Sequence, residues 1–420
     1  MVNEDQARAP RRRLNSRGRR RHAGWALALC GLLALTACGS GNDFAGAGSS
    51  ASAGATSQSA LSSLPADAQK AYVNADAFTG PTPYVEGWKP KGPPPWTIGY
   101  ASPYAGNSWQ TTAMNHLMND VLPKYKKAGL IKDVIVAQSG GDDTVQNQQI
   151  RQLVDQGVDI LIACCSAKTA LNQSIQYAYD KGVPFVAWSG HVDSPYSVSA
   201  VTNYREAGKV FAKSVFDKIG GKGNVLDVQG VPGATNAIDF ESGVQDALKE
   251  YPGIKQVGSV NGMWSAPVTK TEVQKFLATH PGQLDGIVAQ PASATGALQA
   301  LQQSGRPVVP INIGGETGAA CYWVNHPEFA TTGYNIWPPE GEMDLGIETA
   351  VRILQQQGPK IQSIVLSVSP ISYDQVKKTL GTNCDPNADG WLEPADGWLT
   401  GKKLDAFFTN PSDPFTWKKP

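Results

Sequence analysis

The chemistry of this 420-residue chain begins at Cys38, a thiol in the string Leu35-Thr36-Ala37-Cys38-Gly39. Upstream stand Arg11, Arg12, Arg13, Arg17, Arg19, Arg20 and Arg21, followed by an apolar run over 23–37. A cationic segment, a short apolar segment and small residues before a cut make an export signal. The run falls short of the roughly 20 apolar residues of a membrane-spanning helix, so no resident span is expected there. Export places the remaining thiols in an oxidising compartment. Cys30 leaves with the signal, and Cys164, Cys165, Cys321 and Cys384 remain. We expect Cys321 to pair with Cys384. Cys164 and Cys165 either close a strained vicinal ring, which ordinary disulfide geometry disfavours, or stay reduced as small apolar residues.

Other chemistry is sparse. Catalysis would need a nucleophile beside a base, or two carboxylates in one cleft. The sequence has no G-x-S-x-G and no H-E-x-x-H, and His22 departs with the signal from a total of five His. The cysteines show neither C-x-x-C nor His-rich spacing. No metal, no cofactor and no enzymatic activity are therefore expected.

The formal charge of zero hides an asymmetry. Residues 1–38 carry eight Arg and two acids; without them, 28 basic residues face 34 acidic ones, near −6. Only Arg151, Arg205, Arg306 and Arg352 remain. No basic tract survives to follow a phosphate backbone, so nucleic acid is not an expected partner. An anionic ligand clamped by arginine is disfavoured for the same reason.

The elements that must position any site follow a regular pattern. Residues 39–63 are a Gly/Ala/Ser tract, which reads as a flexible tether. A short helix over 65–77 and a proline-rich, extended stretch over 79–95 come next, with order beginning at Trp96. Strands are predicted over 96–100, 134–137, 159–163, 184–188 and 197–202. Helices are predicted over 108–128, 145–156 and 169–181. The pattern then restarts, with helices over 206–219, 236–251, 268–280 and 294–303. Strands over 224–229, 254–260, 286–290 and 308–313 alternate with these. Short apolar runs alternating with amphipathic helices indicate parallel sheets with crossover helices. About 320 residues are too many for one core, and the repeated pattern indicates two similar lobes.

Several strings, taken in order, carry a resemblance. They are Ile98-Gly99-Tyr100, Gly106-Asn107-Ser108-Trp109, Gly157-Val158-Asp159-Ile160-Leu161-Ile162 and Gly182-Val183-Pro184-Phe185-Val186. Gly220-Gly221-Lys222-Gly223-Asn224-Val225, Pro252-Gly253-Ile254, Asp285-Gly286-Ile287-Val288 and Gly296-Ala297-Leu298-Gln299-Ala300-Leu301 complete the series. The ordered set, over roughly 96–370, resembles the ribose-type (type I) periplasmic binding proteins that deliver solutes to ABC importers. The Leu-Thr-Ala-Cys-Gly string resembles the bacterial lipobox, which implies lipidation of Cys38 and a membrane-anchored, extracytoplasmic protein. The implied fold is α/β, with two doubly wound parallel-sheet lobes joined by three crossing strands. By analogy the parts are a signal over 1–37, a lipidated tether over 38–95, and a first lobe over 96–201 with 335–364. The second lobe covers 202–334 with 365–420, including an aromatic tail (Trp391, Trp398, Phe407, Phe408, Phe415, Trp417).

The resemblance also implies a ligand cleft over the carboxyl ends of the strands, closed by hinge motion. After the first strand come Tyr100, Tyr104, Asn107 and Trp109, with Trp109 and Asn107 matching the family's aromatic platform and amide. Cys164 follows the third strand. Trp188, Ser189 and His191 follow the fourth, where the family has an Asp. On the second lobe the matching positions are Asn236, Phe240 (in place of an Arg), Trp264, Gln290 and Glu316, with Asn335 and Trp337 at the hinge. Such a pocket is rich in Trp and poor in charge, and suits a neutral sugar or polyol, since an aromatic face fits a sugar's C–H face. The expected partners are that small carbohydrate-like ligand and an ABC permease, with the receptor a monomer. A ligand sensor docking on a membrane receptor, or a binder of a non-sugar such as a nucleoside, would use the same architecture.

Overall fold

The computed structural model describes residues 60–84, 87–103, 107–164, 167–392 and 401–417. The export signal, Cys38, Tyr104, Cys165 and Trp398 lie outside these residues. Among the described residues no helix is long and apolar enough to cross a membrane.

The first lobe is built on a six-stranded sheet. Its strands are β1 (Trp96–Ser102), β2 (Ile131–Gln138), β3 (Ile160–Cys164), β4 (Phe185–Trp188), β5 (Ser197–Thr202) and β10 (Ser363–Leu366). The order is β10-β5-β4-β3-β1-β2, with every pairing parallel. Central strands such as β3 and β4 are buried throughout, as expected of a parallel sheet with helices on both faces. The chain winds outward in both directions from β1 and β3, which makes their carboxyl ends a topological switch point.

The second lobe holds β6 (Lys222–Gln229), β7 (Gly253–Asn261) and β8 (Gly286–Ala289), in the parallel order β7-β6-β8. The strand expected over 308–313 is reduced to one parallel bridge, Ile287 to Ile311. Pro310 has no N–H for a ladder and contributes only its carbonyl to Ile287 N, at 2.9 Å. The Asn312 side chain then takes over, accepting from Ala289 N at 2.7 Å and donating to Ala289 O at 3.0 Å. Helices Tyr204–Lys218 and Thr235–Glu250 cross closely on this lobe. A Cβ on Gly208 would stand 1.9 Å from Phe240 O, and one on Gly243 would stand 1.9 Å from Arg205 O, so only glycine permits the approach.

As far as residue 371 the chain passes between the lobes three times. It leaves β5 for helix Tyr204–Lys218, and it runs from β9 (Gly333–Asn335) into the first-lobe helix Pro339–Leu354. It returns from β10 into β11 (Ser369–Ile371). Strands β9 and β11 pair antiparallel at this seam.

Two expectations about the ends are corrected. Order does not begin at Trp96: residues 60–84 strap the first lobe. Leu64 and Tyr84 join its core, Tyr72 Oη donates to Ser363 O at 2.5 Å, and Tyr84 Oη donates to Tyr196 O at 2.6 Å. Apolar area returns at Leu64, Ala71, Tyr72 and Tyr84, and burying it outweighs the cost of ordering the strap. The aromatic tail, in turn, is divided. Residues 373–392 stay on the second lobe, where Cys384 is bonded to Cys321 and Trp391 bridges Glu316. Residues 401–417 instead cross to the first lobe. Leu404, Phe407 and Phe408 enter its core, Trp417 packs edge-on against Trp96 at 5.2 Å, and Phe415 stacks on Tyr125 at 4.6 Å. The buried Arg352 anchors them, pairing with Glu348 at 2.9 Å and Asp405 at 2.8 Å.

Candidate functional site

The side chains that meet between the lobes come from loops just beyond strand ends. Asn107, Trp109, Gln110 and Ser189 reach in from the first lobe; Tyr204, Asn236, Trp264, Pro291 and Ala292 reach in from the second. None of these nine carries an ionised group. The space they enclose leaves about 20 Å³ for the centre of a water-sized sphere, about one water's worth. A solute larger than water therefore enters only when the lobes part. A larger concavity of about 1090 Å³ lies outside the first lobe, lined by Asp120, Glu340, Asp344, Glu348, Asp405 and Asp413 among others. It draws on one lobe alone and has no counterpart wall, so volume does not decide the matter.

The first wall is a stack of rings. Asn107 caps helix Ser108–His116, its Oδ1 accepting from Gln110 N at 2.7 Å, and this sets Trp109 at the helix start. Trp109 lies flat on the wholly buried Trp188, with centroids 5.2 Å apart and planes 16° from parallel. Tyr100 Oη donates to Gln110 Oε1 at 3.1 Å, and Gln110 Nε2 donates to Cys164 Sγ at 3.3 Å. Tyr100, Cys164 and Trp188 thus stand behind the lining residues rather than among them. Burial pushes the Tyr100 phenol upward. Cys164 is disulfide-bonded, so the reduced-thiol alternative does not hold for it.

The second wall hangs on strained backbone. Met263 and Trp264 adopt φ of 57° and 51°, and Ala292 adopts 63°, conformations that cost about 1–3 kcal/mol each. Trp264 Nε1 donates to Gln290 Oε1 at 3.0 Å, and Gln290 Nε2 donates to Ala237 O at 3.0 Å. Gln290 therefore holds the indole in place rather than lining the cavity. Gly230 makes room, since a Cβ there would lie 2.1 Å from Trp264 Nε1 and 2.4 Å from Gln290 Oε1. Asn236 Oδ1 is buried with no hydrogen-bond partner. Such an acceptor is costly unless a ligand hydroxyl satisfies it.

Glu342 ties the walls together. From the first-lobe helix Pro339–Leu354 it accepts from Tyr204 Oη at 2.9 and 3.0 Å and from Thr202 Oγ1 at 2.5 Å. Ser189 Oγ lies 3.1 Å from Tyr204 Oη. Ser189 itself has φ of 63°. Burial pushes the Glu342 carboxyl up to about 7, against the pull of its three hydroxyl donors.

Five expected ligand-binding residues, Asn107, Trp109, Ser189, Asn236 and Trp264, are brought together here. Others are corrected. Phe240 is wholly buried against Phe211, at 5.4 Å and 84°, in the core behind the cleft. Glu316 accepts from the N–H groups of Ser293, Ala294 and Thr295 at 2.9–3.0 Å. It thus serves the start of helix Ala294–Gln303, where a carboxylate suits the helix dipole, while burial pushes its carboxyl upward. Asn335 and Trp337 line a separate groove at the hinge, with Lys403 Nζ 5.7 Å from the Trp337 ring centre. His191 lies at the lobe seam, outside the cavity lining. Gln110, Tyr204, Pro291 and Ala292 were not anticipated. Gln110 had a signal in its spacing, three residues after a capping Asn, and Tyr204 had one in following the cap Asn203.

Two α/β lobes thus meet over an uncharged cleft at the strand ends. A family model described as the periplasmic binding protein domain matches residues 98–358, and the chain belongs to that family. It is 30% identical over 189 residues to the xylitol-binding protein of Mycolicibacterium smegmatis, covering 44% of this chain and 54% of that protein. The ribose import binding protein of Bacillus subtilis is 26% identical over 254 residues, covering 59% and 79%. The chain thus spans about half the length of the first relative and more of the second. A crystal structure of an ABC transporter solute-binding protein from Thermobispora bispora superimposes with a TM-score of 0.64 at 23% identity, covering 74% of this chain and 93% of that one. It shares the fold.

Proposed function

We propose that this protein is an extracytoplasmic receptor that captures a neutral sugar or polyol between its lobes and delivers it to an ABC importer. Lipidation at Cys38 would hold it at the outer face of the plasma membrane. One observation carries the reading: nine cleft residues supply an indole from each lobe, amides from Asn107, Gln110 and Asn236, and two hydroxyls, with no ionised group. Indole faces suit the C–H faces of a carbohydrate, and amides and hydroxyls suit its alternating donors and acceptors. A phosphate or dicarboxylate would find no cationic partner in the cleft. Relatives whose names specify xylitol and ribose support the same ligand class. The residues here hold and orient a solute; nothing in the reading assigns them a bond-breaking role.

Thermal unfolding of the purified protein with xylitol, D-ribose, D-xylose, other neutral sugars, nucleosides and amino acids tests this. A ligand that binds only the folded state raises the melting temperature, by about 2.7 kcal/mol of stability at a hundredfold excess over Kd. A shift with one or a few sugars or polyols is expected. A response to nucleosides or amino acids alone would keep the fold and remove the carbohydrate reading.

A further inference from the structure

A second cluster joins the lobes outside the ligand cleft. His191 belongs to the loop after β4 on the first lobe, Asp239 to the second-lobe helix Thr235–Glu250, and Asp76 to the strap that precedes β1. One ligating atom from each lies within 4.8 Å of the other two. His191 Nδ1 stands 3.2 Å from Asp239 Oδ2. His191 is 3% exposed and Asp239 8%, and His191 Nε2 is buried with no hydrogen-bond partner. Phe78 packs edge-on against the imidazole at 6.0 Å. Asp76 reaches the seam from its exposed side and is paired through Oδ2 with Lys168.

Lys168 offsets one of the two carboxylates that face the imidazole, and the other adds repulsion that a bound cation would balance. One imidazole nitrogen and two carboxylate oxygens form a donor set that suits a first-row divalent cation such as Zn²⁺. Ca²⁺ and Mg²⁺ prefer oxygen throughout and would leave the imidazole unused. We propose that Asp76, His191 and Asp239 form a divalent-cation site of the Zn²⁺ class at the lobe seam. Each ligand comes from a different segment of the chain, and a tetrahedral cation would take its fourth ligand from water. Asp239 sits on one lobe and His191 on the other, so the full set exists only while the lobes are together. Cation binding and lobe closure therefore favour each other, by linkage. Lys168 competes for Asp76, which makes its removal informative.

Calorimetric titration of the untagged protein with ZnCl₂ near neutral pH, alongside CaCl₂ and MgCl₂, tests the site without any cleft ligand. One saturable Zn²⁺ per chain is expected. Asp239→Asn and His191→Ala should each weaken it by about 10-fold or more, Lys168→Ala should tighten it, and His326→Ala, on the surface, should leave it unchanged. Asp239→Asn keeps the volume of a buried side chain and Lys168→Ala trims a partly exposed one, so their readouts stand even where His191→Ala lowers the melting temperature. Absence of saturable Zn²⁺ binding overturns the site. So does a Zn²⁺ response indifferent to both Asp239→Asn and His191→Ala, or tighter binding of Ca²⁺ than of Zn²⁺.

Discussion

On the first lobe, Trp109 reaches the cleft from an ordinary helix start and leans on a second, fully buried indole. On the second lobe, Trp264 reaches it from left-handed backbone, hydrogen-bonded to Gln290 and accommodated by a glycine. The first wall is packed onto a six-stranded sheet; the second is suspended from loops over three strands. Packing resists displacement because every neighbour must move with it. A strained loop has other conformations close in energy. The comparison teaches that the first wall is the fixed platform and the second the adjustable jaw, with Glu342 and Tyr204 as the polar link between them.

The largest effect should come from that link. The Glu342 carboxyl is raised to about 7 by burial, from an ordinary 4.5. Between those values the folded chain keeps a proton that the unfolded chain releases. Its contribution is therefore intact at low pH and falls as pH rises through the window, by about 3 kcal/mol in total. Melting temperature measured from acidic to mildly alkaline pH should fall by roughly 5 °C more in the wild type than in Glu342→Gln. Parallel pH profiles would show that the link carries no buried proton.

Next in size is the platform. Trp109→Ala removes the ring face and uncovers Trp188. Affinity for the best sugar or polyol should drop about 100-fold, or about 2.7 kcal/mol. A loss under threefold would mean that the stack is core rather than platform. Smallest is the jaw. Gly230→Ala pushes a methyl into Trp264 and Gln290, at a cost of about 1–3 kcal/mol for overpacking. The loop can yield, so affinity should weaken about 10-fold, mostly through faster dissociation. A loss as large as that of Trp109→Ala would show the second wall to be as rigid as the first.

Much of this was legible in the sequence where the signal was local. Asn107, Trp109, Ser189 and Trp264 follow strand ends directly, and a strand end in an α/β sheet is where a cleft residue has to be. Asn236 and Phe240 show where that reasoning stops. They are one helical turn apart and share a face by count. Yet the first turn reaches the cleft, while the next is pressed against helix Tyr204–Lys218 at the Gly208–Gly243 crossing. Glu316 followed a strand too, but its oxygens were claimed by the N–H groups of a helix more than twenty residues earlier in the chain. The tail over 401–417 gave its aromatic character away but not its destination, because either lobe could have buried those rings.

By itself, then, the sequence determined the alternation of strands and helices, the repetition that makes two lobes, and the lack of an arginine clamp. These follow from periodicities of 2 and 3.6 residues and from composition, which need no knowledge of distant neighbours. The tertiary structure alone decided that Gln110 and Tyr204 face the cleft, that Gln290 serves Trp264, and that Asp76, His191 and Asp239 converge at one seam. Those meetings depend on how the chain crosses between lobes and where each helix comes to rest, and no local pattern encodes the distance between segments that only packing brings together.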